Sequence, residues 1–133
     1  MLLLTDDMLT GIDKIDAQHR SIVARMNHIL SLEDGAYSKE ETKKTLDFLA
    51  SYLIIHFNDE EQLMLQSGYK NYYVHKQQHK VLLDKFHEFK IQLYIDGYTD
   101  GLALKLNGKL IHWIVTHIMI DDVEFGRHYA GKK

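Results

Sequence analysis

Apolar residues recur at steps of three and four along four long segments, the spacing that lines one face of an α-helix. The first stripe runs Ile15, His19, Ile22, Met26, Ile29, and the second Leu46, Leu49, Leu53, His56, Glu60, Leu63. The third runs Tyr72, His75, His79, Leu82, Phe86, Phe89, Leu93, and the fourth Leu106, Leu110, Trp113, His117, Ile120. Glycine-bearing stretches at 33–38, 66–71 and 96–101 punctuate them as turns. The pattern predicts helices over roughly 16–33, 38–66, 71–95 and 102–121, followed by a short tail. Asp16 is expected to cap the first helix, its carboxylate accepting free amides of the opening turn. Short loops favour antiparallel neighbours, so the expected fold is all-α: one domain spanning 1–133, an up-down-up-down antiparallel four-helix bundle.

Each stripe carries polar residues where it should face the other helices. In the antiparallel arrangement, His19 near the start of the first helix lies level with His56 and Glu60 near the end of the second. His75 and His79 open the third helix and His117 closes the fourth, at the same end of the bundle. Buried imidazoles and carboxylates without partners cost several kcal/mol each, on the order of 2–7 for a neutral group. Five histidines and a carboxylate in one slab cannot satisfy one another by hydrogen bonds alone, whereas a metal ion takes neutral imidazoles as ligands and compensates the carboxylate. A second carboxylate stands at Asp122, five residues after His117, with Asp121 as the alternative. That spacing exceeds one regular turn, so fraying or tightening at the helix end is expected to swing Asp122 inward. Two carboxylates and five imidazoles overfill one ion and suit two. His28, His87, His112 and His128 fall off the stripes and read as surface or structural residues, and the tyrosines at 69, 72 and 73 as packing around a turn.

Composition narrows the chemistry. The 133 residues are 45% apolar and 26% charged, ordinary for a water-soluble globular domain. The absence of cysteine removes disulfides, thiolate nucleophiles, iron–sulfur clusters and thiolate zinc sites, and the absence of proline suits uninterrupted helix. A net charge of −3 offers no footprint for nucleic acid, and no segment is apolar enough to span a membrane or to serve as a signal peptide. A cytoplasmic location is expected. No large exposed apolar stripe stands out, so a monomer is expected.

The segments GIDKIDAQHRSIVARMN (11–27), HFNDEEQLM (56–64), HKQQH (75–79) and WIVTHIMIDD (113–122) resemble the signature segments of the haemerythrins, most closely the bacterial kind. The resemblance covers about residues 11–122, and the full set of histidine and carboxylate spacings is far more specific than any one piece. It implies a non-haem di-iron site in the bundle core at one end. One iron takes His75, His79 and His117, the other His19 and His56. Glu60, Asp122 and an oxo or hydroxo group bridge the two. The second iron, with two histidines, keeps an open position that in this family binds dioxygen reversibly. An apolar pocket for O2 is expected from Ile114, Trp113, Ile22, Leu53 and Leu82. Where relatives often carry Tyr-Pro, this chain has Tyr69-Lys70, which touches loop rigidity and not ligation. Gly108 inside helix four costs about 1 kcal/mol against alanine and is read as allowing close helix packing.

The resulting expectation is an O2 carrier, store or local supplier, not an enzyme, with dioxygen as ligand and room for an O2-consuming or signalling partner. The alternatives are a di-iron oxidase or peroxidase, or an O2 or redox sensor acting through a separate partner. Ferritin-like oxidases use Glu-x-x-His pairs and more carboxylates, and no such pair occurs in this chain. Structural zinc closes on four ligands, which seven candidates exceed.

Overall fold

The computed structural model describes residues 4–31, 39–96 and 100–131. A single 3-10 turn at Asp6–Met8 leads into α1 (Asp13–Ser31), α2 (Lys39–Ser67), α3 (Tyr72–Asp96) and α4 (Asp100–His117). A π-helical turn, Ile118–Asp122, then runs without a break into α5 (Val123–Ala130). α1 packs on α2, α2 on α3, α3 on α4, and α4 closes on α1, giving the antiparallel four-helix bundle. The whole of the expected first turn (33–38) and part of the third (97–99) lie outside the described residues, as do the side chains of Ile29 and Leu106.

The stripes meet as predicted through most of their length. Ile22, Met26, Leu46, Leu49, Leu53, Phe86, Phe89, Leu93, Leu110 and Ile114 form one continuous apolar core. The turn after α2 is set by Gly68, whose φ of 69° is open to glycine and strained for other residues. Around it the Gly68 amide bonds Leu65 O at 3.3 Å and the Tyr69 amide bonds Met64 O at 2.9 Å. Those two bonds make a Schellman ending, with Met64 and Tyr69 packed together beneath it.

The structure departs from the sequence expectation where helix four should stop. The chain neither frays nor tightens. The turn widens, with the Val123 amide bonding back to Ile118 O, five residues earlier. The added residue shifts the helical phase: Ile118 and Asp122 turn inward, and Ile120, placed on the core stripe by simple periodicity, is 62% exposed. The segment read as a tail is α5, whose Phe125 is fully buried with Ile12, Ile15, Met64 and Tyr69. By their helical positions these residues lie beyond the polar slab from the main core, and plug the end of the bundle.

Asp16 also differs from expectation. α1 begins at Asp13, and the buried Asp16 carboxylate reaches back to the loop before it. It accepts from the Thr10 amide (2.9 Å), the Thr10 hydroxyl (2.8 Å) and the Gly11 amide (3.2 Å), which satisfies a charge held out of water. The pinned loop forms the seat for α5. Gly108, by contrast, is exposed with open space around it, so it serves no close packing. The outer face of α3 leaves Tyr73, Val74, Val81, Ile91, Tyr94 and Ile95 exposed, more apolar surface than the sequence suggested.

A methyl group at Gly126 would lie 2.2 Å from Thr10 O and 2.8 Å from Thr10 Cα. Backbone on both sides leaves nowhere to yield, so Gly126→Ala is expected to cost about 1–3 kcal/mol as an overpacking change. The measurement is thermal unfolding, where the melting temperature should drop by several degrees. An unchanged value would mean that α5 does not seat on Thr10.

Candidate metal centre

All four bundle helices and the π turn send polar side chains into one slab. α1 supplies His19, and α2 supplies His56 and Glu60 one turn apart. His75 and His79 come from one face of α3, His117 from the end of α4 and Asp122 from the end of the π turn. Each is at most 5% exposed. Their ligating atoms form two groups, within each of which every atom lies within 4.8 Å of the others. Glu60, His75, His79, His117 and Asp122 make one group; His19, His56, Glu60 and Asp122 make the other. The wide turn is what lets a residue five places after His117 share its face.

The two carboxylates belong to both groups, and their oxygens divide between them. Glu60 Oε1 is 2.8 Å from His75 Nε2 and 3.1 Å from His79 Nε2. Asp122 Oδ1 is 2.8 Å from His75 Nε2 and 3.1 Å from His117 Nε2. The remaining oxygens, Glu60 Oε2 and Asp122 Oδ2, are buried without a hydrogen bond, as are both nitrogens of His19. His19 Nε2 stands 3.0 Å from Asp122 Oδ2, but off the direction a hydrogen bond needs.

A further set of groups fixes the rings. Glu61 Oε2 lies 2.7 Å from His79 Nδ1, Asp121 Oδ2 lies 3.0 Å from His117 Nδ1, and Gln18 Oε1 lies 2.7 Å from His56 Nδ1. These oxygens only accept, so each Nδ1 carries the proton and donates it outward. In a neutral ring the inner Nε2 then presents a lone pair. His79 and His117 meet Nε2 to Nε2 across 3.1 Å, an arrangement that needs either a proton or a metal cation between them. Gln18 is held in turn by donating to Asp59 at 2.8 Å, and Gln78 donates to Asp121 at 3.3 Å.

The electrostatics carry the same demand. Burial opposes charge on His117, yet the Asp122 charge and hydrogen bonds to Asp121 and Asp122 lift it to about 10. For His75 burial likewise opposes, and hydrogen bonds to Asp122 and Glu60 lift it to about 9. Asp122 is held well below the usual carboxylate range, against its burial, by His117 and by contacts with His19 and His75. His56 goes the other way, pushed down to about 3 by burial and by the neighbouring His19. The carboxylates recruit positive charge from their surroundings.

Beside the His19–His56 side lies a cavity of about 10 Å³, lined by Ile22, Leu53, Phe57, Leu82, Ile114 and Ile118 along with the imidazoles. That is near the lower limit for a single water-sized molecule. Trp113, expected in this wall, is not part of it. Rotated by one residue from Ile114, it lines an outer groove of about 670 Å³ between α3 and α4, with Lys85 Nζ 4.6 Å from its ring centre. Of the remaining histidines, His28, His87 and His112 are exposed, and His128 Nε2 donates to Ser67 O at 3.0 Å.

The family profile described as "Hemerythrin HHE cation binding domain" matches residues 10–127. The chain belongs to the haemerythrin family. It is 32% identical to a Bacteriohemerythrin of Pseudomonas aeruginosa over 126 residues, covering 93% of this chain and 78% of that protein. A Bacteriohemerythrin of Clostridium acetobutylicum is 30% identical over 128 residues (94% of this chain and 98% of the relative), and one of Stenotrophomonas maltophilia is 30% identical over 122 residues (92% and 77%). No solved structure matches the chain significantly. Haemerythrins hold a non-haem di-iron centre, and the donor set here fits that group: imidazoles and carboxylates suit iron, and the unpartnered atoms all belong to the residues of the two-histidine group. Among the described residues no helix is long and apolar enough to cross a membrane.

Gln18, Glu61 and Asp121 went unnoticed in the sequence as ring anchors. Asp121 sits four residues after His117 on the same helix face, a spacing that does signal contact. Replacing it by asparagine removes an ionic acceptor and should weaken iron binding about ten- to a hundredfold in a chelator competition, with the fold intact by circular dichroism. Unchanged affinity would remove Asp121 from the site.

Without metal, stability should peak near pH 6.5. His56, lowered to about 3, refuses a proton that the unfolded chain accepts, so stability falls with acidification below 6.5. His75 and His117 are raised, so their contribution is complete below 6.5 and is lost as pH climbs through about 9 and 10. Melting temperatures of metal-free protein across pH should trace this peak, and a flat profile would contradict it.

Proposed function

We propose that the chain binds dioxygen reversibly at a di-iron centre and acts as an O2 carrier, store or local supplier rather than as a catalyst of O2 chemistry. The observation that carries the reading is the division of the carboxylate oxygens, one of each pair on the three-histidine group and one left for the two-histidine group. In this reading His75, His79 and His117 hold one iron, and His19 and His56 hold the other. Glu60 and Asp122, each with one oxygen toward either group, would serve both irons, with solvent-derived oxide or hydroxide as a further ligand. When bound, the pair of irons supplies the two electrons that hold O2.

The protein's own groups supply the rest. Three imidazoles against two would leave the His19–His56 side one donor short, beside the small cavity that those two imidazoles line. Ile22, Leu53, Leu82 and Ile114 make the cavity wall facing the imidazoles and Asp122 apolar, which favours a neutral diatomic and excludes water. Outward Nδ1 bonds keep His79, His117 and His56 from turning, so the donor set stays fixed while ligand comes and goes.

The test is visible absorption of reduced, iron-loaded protein on exposure to O2 and after its removal. Two irons per chain and a charge-transfer band that forms and fades reversibly are expected. Irreversible oxidation with no oxygenated species would shift the assignment to oxidase or peroxidase chemistry. Ile114→Glu places a carboxylate in the open position, and it should abolish the band while leaving two irons bound. Normal oxygenation of that variant would sink the placement of the O2 site.

A further inference from the structure

Every residue lining the inner cavity is buried except Leu82, which is partly exposed. Leu82 also lines the outer groove between α3 and α4, and the one other residue shared by the two linings is His117. His117 is fixed by its 3.0 Å bond to Asp121. Leu82 has no polar tether, and a leucine changes rotamer on a timescale far shorter than that of ligand release. On its outer side Val74, Val81 and Trp113 give the groove apolar walls, where a neutral gas is more soluble than in water. We propose that the α3–α4 groove is the vestibule for O2 and that the Leu82 side chain is the door between it and the binding cavity. The inference rests on the O2-binding reading above.

A door has a kinetic signature that a binding wall lacks. Lowering a barrier speeds entry and exit by the same factor and leaves the equilibrium unchanged, whereas a wall that touches the ligand alters mainly the rate of escape. In stopped-flow measurements on iron-loaded protein, Leu82→Ala should raise both O2 association and dissociation about three- to tenfold, the span that one strained rotamer passage allows. Leu82 also belongs to the cavity wall, so Kd can move as well; the door is read in the association rate, which loss of a wall contact alone leaves unchanged. Leu82→Phe should slow both rates. Unchanged rates in both variants, or a change in dissociation alone, would overturn the proposal.

A second readout needs neither iron nor O2. Metal-free protein under xenon pressure should show methyl NMR shifts at Val81, on the groove side, in parent and variant alike. Leu82→Ala should add shifts at Ile114 inside the cavity, and their absence would mean that the path lies elsewhere. If the parent protein forms no reversible oxygenated species, the functional reading fails, and the xenon result still decides whether Leu82 separates the two spaces.

Discussion

Glu60 and Asp122, both fully buried, set the terms for one whole end of the bundle. Ionised carboxylates out of water are among the most unfavourable groups a core can hold unless positive charge or donors surround them. Here each carboxylate directs one oxygen to His75 and leaves the other on the opposite side, where no protein hydrogen bond reaches it. The imidazoles come from all four bundle helices, so any cation that neutralises the carboxylates also ties those helices together. Metal binding and folding of this end are therefore linked in free energy, as they are wherever ligands come from separate elements.

Most of this was legible because the helix period is strict. Six of the candidate ligands sit in phase on apolar stripes, where a lone imidazole or carboxylate is conspicuous against its leucine and isoleucine neighbours. Asp122 fell out of phase because a regular helix places it on a different face from His117. Its inward position depends on a widened turn that no local residue announces. The same widening exposes Ile120 and buries Ile118. Trp113 was misplaced for a related reason: a stripe read in steps of three and four does not separate Trp113 from Ile114, yet one points to the groove and the other to the cavity.

What the pattern could not reveal are contacts made off the stripes. Gln18, Glu61 and Asp121 each flank a metal-site residue in sequence, at positions that read as a solvated surface. Their value comes from a neighbour on another helix or one turn away. α5 was missed because eight residues with a single deeply buried aromatic carry too little periodicity. Its place depends on Asp16 holding the Thr10 loop and on the missing side chain at Gly126. A carboxylate in the first turn of α1 and a glycine of α5, forty and more residues from most of the candidate site, thus close the apolar plug over it.

The asymmetry between the two groups is where structure passes into function. Three imidazoles and two carboxylate oxygens give five protein donors on one side, and two imidazoles with two oxygens give four on the other. A symmetric site would saturate both ions and do no more than hold the helices together. Under the proposed function the missing imidazole would matter because the cavity on that side has aliphatic walls, Ile22, Leu53 and Ile114, facing the imidazoles and Asp122. An open position in an all-polar pocket would fill with solvent; a cavity of about 10 Å³ with an aliphatic wall on one side admits little bulk and offers few partners to water. If the proposed function holds, selectivity for a small neutral ligand resides in aliphatic side chains as much as in the imidazoles, and the partly exposed Leu82 is the point where that wall meets solvent.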